Sequence, residues 1–407
     1  MEHLTTYRYK QTEVGIIPKD WEIRNLTYLV DYFHGKAHES FISEHGKYIV
    51  VNSKYISTEG NTVKHSKENF CPAKKGDVLT VLSDIPNGKA LAKCYLVNDD
   101  NKYAVNQRIC IWRPKNIDAN FLFYKLNRYK YFLALNDGVN QTNIGNSDIE
   151  NCIVDVPPTL KEQKAIAQVL SDTDALIQAL EKKIAKKKLI KKGVMQRLLT
   201  PKEGWVSTSL IELADYKKNQ FDDGDWVESE HIISEGIRLI QTGNIGIGNF
   251  QDKGSKKYIS EDSFNQLNCK EVLIGDLLIC RLAEPAGRAC IMPNIGENKV
   301  ITSVDVSIFR GDSSEVNREF LSQLFTTNRW FQKVMEMVGG TTHKRISRRA
   351  LGKIEISVPT VEEQNQIAQI LTDMDKEIEL LEQKLSKYQL AKQGMMQQLL
   401  TGKIRLV

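Results

Sequence analysis

The segment that decides the fold occurs twice. Residues 158–174 read Pro-Thr-Leu-Lys-Glu-Gln-Lys-Ala-Ile-Ala-Gln-Val-Leu-Ser-Asp-Thr-Asp, and residues 359–375 read Pro-Thr-Val-Glu-Glu-Gln-Asn-Gln-Ile-Ala-Gln-Ile-Leu-Thr-Asp-Met-Asp. The match runs on without a gap to Lys202 and Lys403, at an offset of 201 residues, with roughly half the positions identical. A repeat this long is no solenoid unit; it marks a duplicated two-part module.

Both copies carry an apolar stripe at alternating spacings of three and four, which predicts long amphipathic helices. The seam consists of Ile166, Leu170, Ile177, Leu180 and Ile184 in the first copy. In the second it consists of Ile367, Leu371, Met374, Ile378, Leu381 and Leu385. Lys187, Lys191 and Lys392 interrupt it. Thr159 and Thr360 are candidate caps, each with a Glu three residues on, and Pro201 and Gly402 are natural stops. Gly193 and Gly394 suggest a bend or a close helix crossing. Each helix would span about 57 Å. A single striped helix is unstable alone, so the two copies are expected to pair antiparallel around an approximate two-fold. The lysine run between Lys182 and Lys192 reads as a solvated face.

Fainter repeats flank these segments. Pro18-Lys19-Asp20-Trp21 parallels Glu203-Gly204-Trp205, and Gly76-Asp77-Val78-Leu79 parallels Gly275-Asp276-Leu277-Leu278. The expected class is α+β: two mixed α/β domains, 1–157 and 203–358, joined by long helices in 158–202 and 359–407 packed as an antiparallel coiled coil. Strand-like runs fall at 47–51, 78–82, 108–112, 153–156, 237–240, 272–280, 289–292, 304–309 and 354–358. Helices are expected at 120–135 and 317–337, each followed by Gly and a polar loop.

Those loops have the side chains of a nucleic-acid reader. The first carries Asn140, Gln141, Thr142 and Asn143; the second carries Thr341, Thr342, His343, Lys344, Arg345 and Arg348. Amides suit adenine edges and Arg or Lys suits guanine, while hydroxyls and backbone N–H groups suit phosphates. Further candidates are Asn87, Lys89, Arg108, Gln241, Asn244, Arg281 and Arg288.

Fifty-six Lys+Arg against 51 Asp+Glu give a net charge of +5, which permits a nucleic-acid partner without demanding one. No apolar run approaches the ~18 residues of a membrane span, and the opening has no apolar signal core. Seven scattered cysteines with no CxxC pair suggest reduced thiols and a cytoplasmic protein. There is no phosphate loop, dinucleotide fingerprint, nucleophile elbow or HExxH helix. Asn/Asp-Pro-Pro-Tyr/Phe, the signature of amino-methyltransferases, is also missing. His34 and His38 have a ligand spacing but no third partner.

The duplicated P-T-x-x-E-Q-x-x-I-A-x-x-L-x-D-x-D, the endings K-x-G-x-M-Q-x-L-L-T at 191–200 and 392–401, and the Trp-containing openings resemble the DNA-specificity subunits of type I restriction–modification systems. The resemblance covers essentially the whole chain. It implies that each globular domain is a target recognition domain for one half of a bipartite site in double-stranded DNA. It implies that the helix pair measures the spacer and docks two methyltransferase subunits, which restriction subunits join. AdoMet, ATP and Mg would then belong to those partners, with no cofactor and no catalysis in this chain. The same residues fit a specificity subunit of a methylation-only phage-defence system. A nuclease and a pure coiled-coil assembly protein are rival readings.

Overall fold

The computed structural model describes residues 9–85, 88–282, 284–340 and 344–406. The chain forms two compact units. Unit 1 holds the described residues up to Lys182 together with those from Gln383 onwards, and unit 2 holds Lys183–Glu382.

In unit 1 the strands are β1 (Tyr9–Thr12), β2 (Gly15–Pro18), β3 (Glu22–Asn25), β4 (Val30–His34), β5 (Tyr48–Val51), β6 (His65–Ser66) and β7 (Val78–Val81). They continue as β8 (Ser83–Asp84), β9 (Cys94–Leu96), β10 (Tyr103–Val105), β11 (Ile109–Pro114), β12 (Thr142–Asn143) and β13 (Ile153–Val156). The short helices are α1 (Leu26–Leu29), α2 (Ser53–Ser57), α3 (Ala119–Leu126), α4 (Lys130–Leu133) and α5 (Asn146–Glu150), followed by α6 (Leu160–Leu198). A four-stranded sheet has the order β4-β11-β7-β9, and a three-stranded sheet the order β10-β5-β6, with β10 and β5 parallel. The pairs β13-β3 and β12-β8 complete the domain, and β1-β2 forms a hairpin.

Unit 2 repeats this plan. Its strands are β14 (Val206–Ser209), β15 (Phe221–Asp223), β16 (Ile237–Ile240), β17 (Lys257–Ile259), β18 (Leu277–Cys280), β19 (Ala289–Ile291), β20 (Val300–Thr302), β21 (Val306–Phe309) and β22 (Glu355–Val358). Its helices are α7 (Leu210–Leu213), α8 (Glu261–Gln266), α9 (Arg318–Leu324), α10 (Asn328–Met337) and α11 (Arg348–Gly352), then α12 (Val361–Leu399). The sheets β15-β21-β18-β19 and β17-β16-β20 and the pair β14-β22 match those of unit 1 strand for strand.

In each unit the four-stranded sheet separates two cores, so its central strand is apolar at nearly every position rather than alternating. Val78 faces a core with Trp112 and Phe121, while Leu79 and Val81 face one with Tyr55 and Ile111. Leu277 and Ile279 divide from Leu278 and Cys280 in the same way. The repeated Gly-Asp pair starts this strand. Gly76 and Gly275 take positive φ, and the buried Asp77 and Asp276 carboxylates accept from the backbone N–H of Lys74 and Leu273. Each also binds an Arg of the neighbouring strand, Arg113 or Arg310.

The helices expected at 120–135 and 317–337 each break into two. In unit 1 Arg128 sits at φ +61°, where its N–H donates to the Ala92 carbonyl. In unit 2 Thr327 caps α10 by accepting from Trp330 N. Local hydrogen bonds thus override a continuous helical pattern.

Both long helices are 39 residues and run unbroken through Gly193 and Gly394. A Cβ added at either glycine meets no atom within 4 Å, so neither marks a close crossing. Within each unit the helices pair antiparallel. In unit 2 Lys187 bonds Glu377 at 2.7 Å, and Lys191 bonds Asp375. In unit 1 Lys392 bonds Asp174 at 2.5 Å. The lysines that interrupt the apolar stripe therefore carry its ion pairs. Ile166 and Leu170 join the domain core of unit 1, as Ile367 and Leu371 join that of unit 2. Ile177, Leu180, Ile184 and Ile378 are buried; Met374, Leu381 and Leu385 are half-buried.

The repeated Glu-Gln explains how each domain is held on its helix. Buried Gln163 accepts from Asp118 N at 2.9 Å and donates to the Pro157 carbonyl at 3.0 Å. Gln364 does the same with Asn317 N and the Pro359 carbonyl. Thr159 and Thr360 cap the helices weakly, at 3.3 and 3.4 Å. Glu162 pairs with Arg405 instead of closing a capping box, and Arg405 also forks onto Asp20. Trp21 is fully buried in this corner, where Gly402 has φ +68° and an added Cβ would lie 2.4 Å from Pro18.

Replacing Gln364 by Ala is expected to destabilise the chain by about 1–3 kcal/mol, because it strands a buried N–H and a carbonyl. Lys187→Met should change stability by less than about 1 kcal/mol, since its ion pair is partly solvated. Urea unfolding of the two variants checks the order. Leu371→Asp places an unpaired charge in a core and should cost several kcal/mol, read as lost soluble expression.

Candidate nucleic-acid interface

In unit 1, β7 runs directly into β8, which pairs antiparallel with β12 in the register Ser83↔Asn143 and Asp84↔Thr142. This short ladder ties the polar loop at 140–143 to the strand end that precedes Lys89. The Asp84 carboxylate accepts from the N–H groups of Ile85, Ala90 and Leu91 at 2.7–3.0 Å. Asp137 accepts from Val139 N, Asn140 N and Asn140 Nδ2, and these bonds hold its carboxyl below the usual carboxylate range. Asn140 is thus engaged in shaping its own turn. Thr142 is buried and donates to Asn136 Oδ1 at 3.1 Å.

Gln141 and Asn143 are exposed and joined through Ser83. Gln141 Nε2 donates to Ser83 Oγ at 2.8 Å, and Ser83 Oγ donates to Asn143 Oδ1 at 2.6 Å. A longer 3.3 Å bond from Gln141 Nε2 to Asn143 Oδ1 closes the triangle. Arg108 and Lys89 are exposed at the same edge and have no ion-pair partner among the described residues; the Arg108 carbonyl accepts from Leu82 N. Lys36 is a further exposed cation there, after Gly35, whose added Cβ would lie 2.0 Å from the Asn106 carbonyl oxygen.

Unit 2 has the equivalent junction. Leu282 bridges Arg345, and Ile346 N donates to the Arg281 carbonyl just as Ile144 N donates to that of Leu82. Arg345 is exposed and its Nε lies 2.8 Å from Asp305 Oδ1. Lys344 is exposed beside it. Arg348 is half-buried and pairs with Asp222. Asn87, Thr341, Thr342 and His343 lie outside the described residues.

Three candidates have internal roles. Buried Asn244 accepts from Gln241 N and donates to the Gln251 carbonyl, so it builds the turn that begins at Gln241. Arg281 is buried, bonded to the carbonyls of Ile346 and Val304 and facing Asp223 at 3.0 Å; burial lowers its pKa. Arg288 donates to four carbonyls, of Ile245, Leu282, Pro285 and Thr242, at 2.7–3.0 Å. Asn244 and Arg288 thus spend most of their donors inside the fold, four of the five guanidinium N–H groups in the case of Arg288. Sequence reasoning missed Ser83 and Asp305, the residues that orient Gln141, Asn143 and Arg345. Both lie at strand ends that carry no motif.

His34 and His38 do not converge: His34 Nε2 lies 2.7 Å from Asn146 Oδ1, and buried His38 Nε2 accepts from Phe70 N. Among the described residues no group of three or more His, Cys, Asp or Glu could hold a metal ion. Burial pushes the thiols of Cys94, Cys152 and Cys290 up to about 12 and Cys269 to about 11, so they stay protonated at neutral pH. No helix among the described residues is long and apolar enough to cross a membrane.

The family model for the type I restriction modification DNA specificity domain matches residues 18–189 and again 202–388. The chain therefore belongs to that family. It is 25% identical to the type I restriction enzyme MjaVIII specificity subunit of Methanocaldococcus jannaschii, over 100% of this chain and 98% of that protein. A putative MjaX specificity subunit of the same organism is also 25% identical, over 98% and 97%. The fold resembles that of a type I restriction–modification S subunit from M. genitalium, with TM-score 0.62 and 16% identity over 93% of this chain and 96% of the other. A chain from a study of assembly and conformational transition of a type I system aligns with TM-score 0.52 and 15% identity, over 95% and 99%.

Arg288→Ala leaves four carbonyls without their donor and is expected to destabilise unit 2 by about 1–3 kcal/mol. Arg108→Ala should leave the unfolding midpoint in place while weakening DNA binding. Thermal unfolding beside an equilibrium DNA titration separates the two behaviours.

Proposed function

We propose that this chain is the non-catalytic DNA-recognition subunit of a type I restriction–modification complex. Each unit reads one half of a bipartite site in double-stranded DNA, and the two long helices set the distance between the half-sites. One observation carries the reading: two domains that share their three-stranded and four-stranded sheets keep the same Gly-Asp-Arg scaffold but end in loops of different chemistry. A shared scaffold gives both the same docking geometry, and different loops give different base preferences. Exposed Arg108, Lys89, Lys36 and Lys344 would contact phosphates and set register.

Methyltransferase subunits would dock on the helices. Leu189 and Leu390, at equivalent positions of the repeat, are 70% and 65% exposed, and Leu380 is 65% exposed. These leucines would give a docking subunit apolar area to cover. Unit 2 also has a cleft of about 550 Å³ between the end of α6 and α10, floored by Met195, Leu199 and Trp330 and rimmed by Lys192 and Arg329. Restriction subunits would join that core. AdoMet, ATP and Mg would be held by these partners, and the chemistry of adenine methylation and cleavage would be theirs.

Single-molecule sequencing of methylated adenine in cells carrying the cognate methyltransferase gene, with and without this gene, tests the reading. The expected result is a bipartite motif present only with this gene; a motif independent of it would refute the proposal. Inserting one heptad into each long helix adds about 10 Å and should lengthen the spacer by about three base pairs or block assembly. An active complex with an unaltered spacer would remove the measuring role.

A further inference from the structure

We infer that one register position, occupied by Asn143 in unit 1 and Arg345 in unit 2, fixes one base in each half-site: an adenine for unit 1 and a guanine for unit 2. The inference rests on the proposed reading of a bipartite DNA site and goes on to name the reading atoms.

The equivalence of the two positions is topological. Each residue lies opposite the second residue beyond the central strand, Ser83 after β7 and Leu282 after β18. Each precedes a buried Ile, Ile144 or Ile346, whose N–H bonds the residue before that partner, Leu82 or Arg281. The backbone therefore delivers Asn143 and Arg345 to the same place on the same scaffold.

The side chains are pre-oriented by neighbours. In unit 1 one hydrogen of Gln141 Nε2 is shared between Ser83 Oγ and Asn143 Oδ1, and Ser83 Oγ donates to that same Oδ1. The hydroxyl has one proton, so the chain of bonds has one direction, from Gln141 through Ser83 to Asn143. Gln141 Oε1 remains as an acceptor and Asn143 Nδ2 as a donor, neither with a partner among the described residues. Adenine presents the complement in the major groove: the N6 amino group donates and N7 accepts. In unit 2 Arg345 Nε lies 2.8 Å from Asp305 Oδ1, an ion contact rather than a directed hydrogen bond. Its two terminal nitrogens have no partner among the described residues, and a guanidinium held in this way offers two parallel donors. Guanine presents two acceptors, O6 and N7. Holding each side chain in advance removes rotamer entropy that binding would otherwise have to overcome.

A donor and an acceptor side by side could also be met by cytosine N4 and guanine O6 of one pair, so the base at the affected position is itself diagnostic. The test uses the full chain expressed with its methyltransferase subunits, reading the methylated motif by sequencing. It also uses competition binding by the purified complex, with duplexes exchanged at single positions. Asn143→Asp turns the free donor into an acceptor. It should reduce preference for adenine at one position of one half-site roughly tenfold or more, with the other half-site unchanged. Gln141→Ala leaves the β8–β12 ladder intact and should relax the same position. Arg345→Gln should shift one position of the other half-site from guanine towards adenine, and Arg345→Lys should retain guanine more weakly.

A bipartite motif that survives all four substitutions overturns the inference while leaving the proposed function standing. So does a shift that falls in both half-sites, or a wild-type base at the affected position other than adenine in one and guanine in the other. A wild-type chain that directs no bipartite motif overturns the function and the inference together.

Discussion

The attachment of each domain to an amphipathic helix is the constraint on which the structure depends. A helix with a partial apolar stripe gains too little from one neighbour to stay folded, so it must bury that stripe against a domain and a second helix at once. Ile166 and Leu170 do so in unit 1, and Ile367 and Leu371 in unit 2, by entering the domain cores. Gln163 and Gln364 fix the approach, because each links the start of a long helix to the start of a domain helix through buried backbone groups. Loss of either leaves polar backbone inside a core, which no rearrangement of surface loops repairs.

With that attachment in place, the domains are free to differ where they meet solvent. What they keep is the frame: two parallel strands in one sheet, a four-stranded sheet buried on both faces, and an aspartate locked to an arginine on the next strand. Even Tyr124 and Gln323, unlike in chemistry, occupy one position and make one bond, donating to Asp174 and Asp375. Selection on geometry tolerates this exchange because only a donor at that spot is needed.

How much the sequence disclosed follows from where information is periodic. The long helices were legible because a stripe repeated over ten turns outweighs local propensity. The long repeat and the Gly-Asp pairs disclosed two equivalent domains, yet their strand order was hidden, since short strands buried on both faces have no alternation to read. Helix breaks at Arg128 and Thr327 were missed because single hydrogen bonds set them. The candidate interface was half legible. Loop composition found Gln141, Asn143 and Arg345 but could not separate them from Asn244, Arg281 and Arg288, which carry the same groups. Burial divides these two sets, and burial depends on neighbours far along the chain: Arg281 meets Ile346, and Arg288 meets Thr242.

The retained similarity of the two helix copies has a physical cause in the antiparallel pairing. Within unit 1 the aspartate of the first copy, Asp174, meets Lys392 of the second; within unit 2 the aspartate of the second, Asp375, meets Lys191 of the first. Each copy therefore supplies an acid to one unit and a base to the other. A change of Lys191 alone removes the cation facing Asp375, while a change of Lys392 alone removes the one facing Asp174, and each carboxylate then keeps only its Gln323 or Tyr124 donor. These pairs also interrupt the apolar seam, so they select the register in which lysine faces aspartate over slipped alternatives in which lysine faces leucine. Neither copy can drift without a compensating change some 200 residues away, whereas each loop answers only to its own domain. The domains could thus diverge in their loops while the helices that carry them could not.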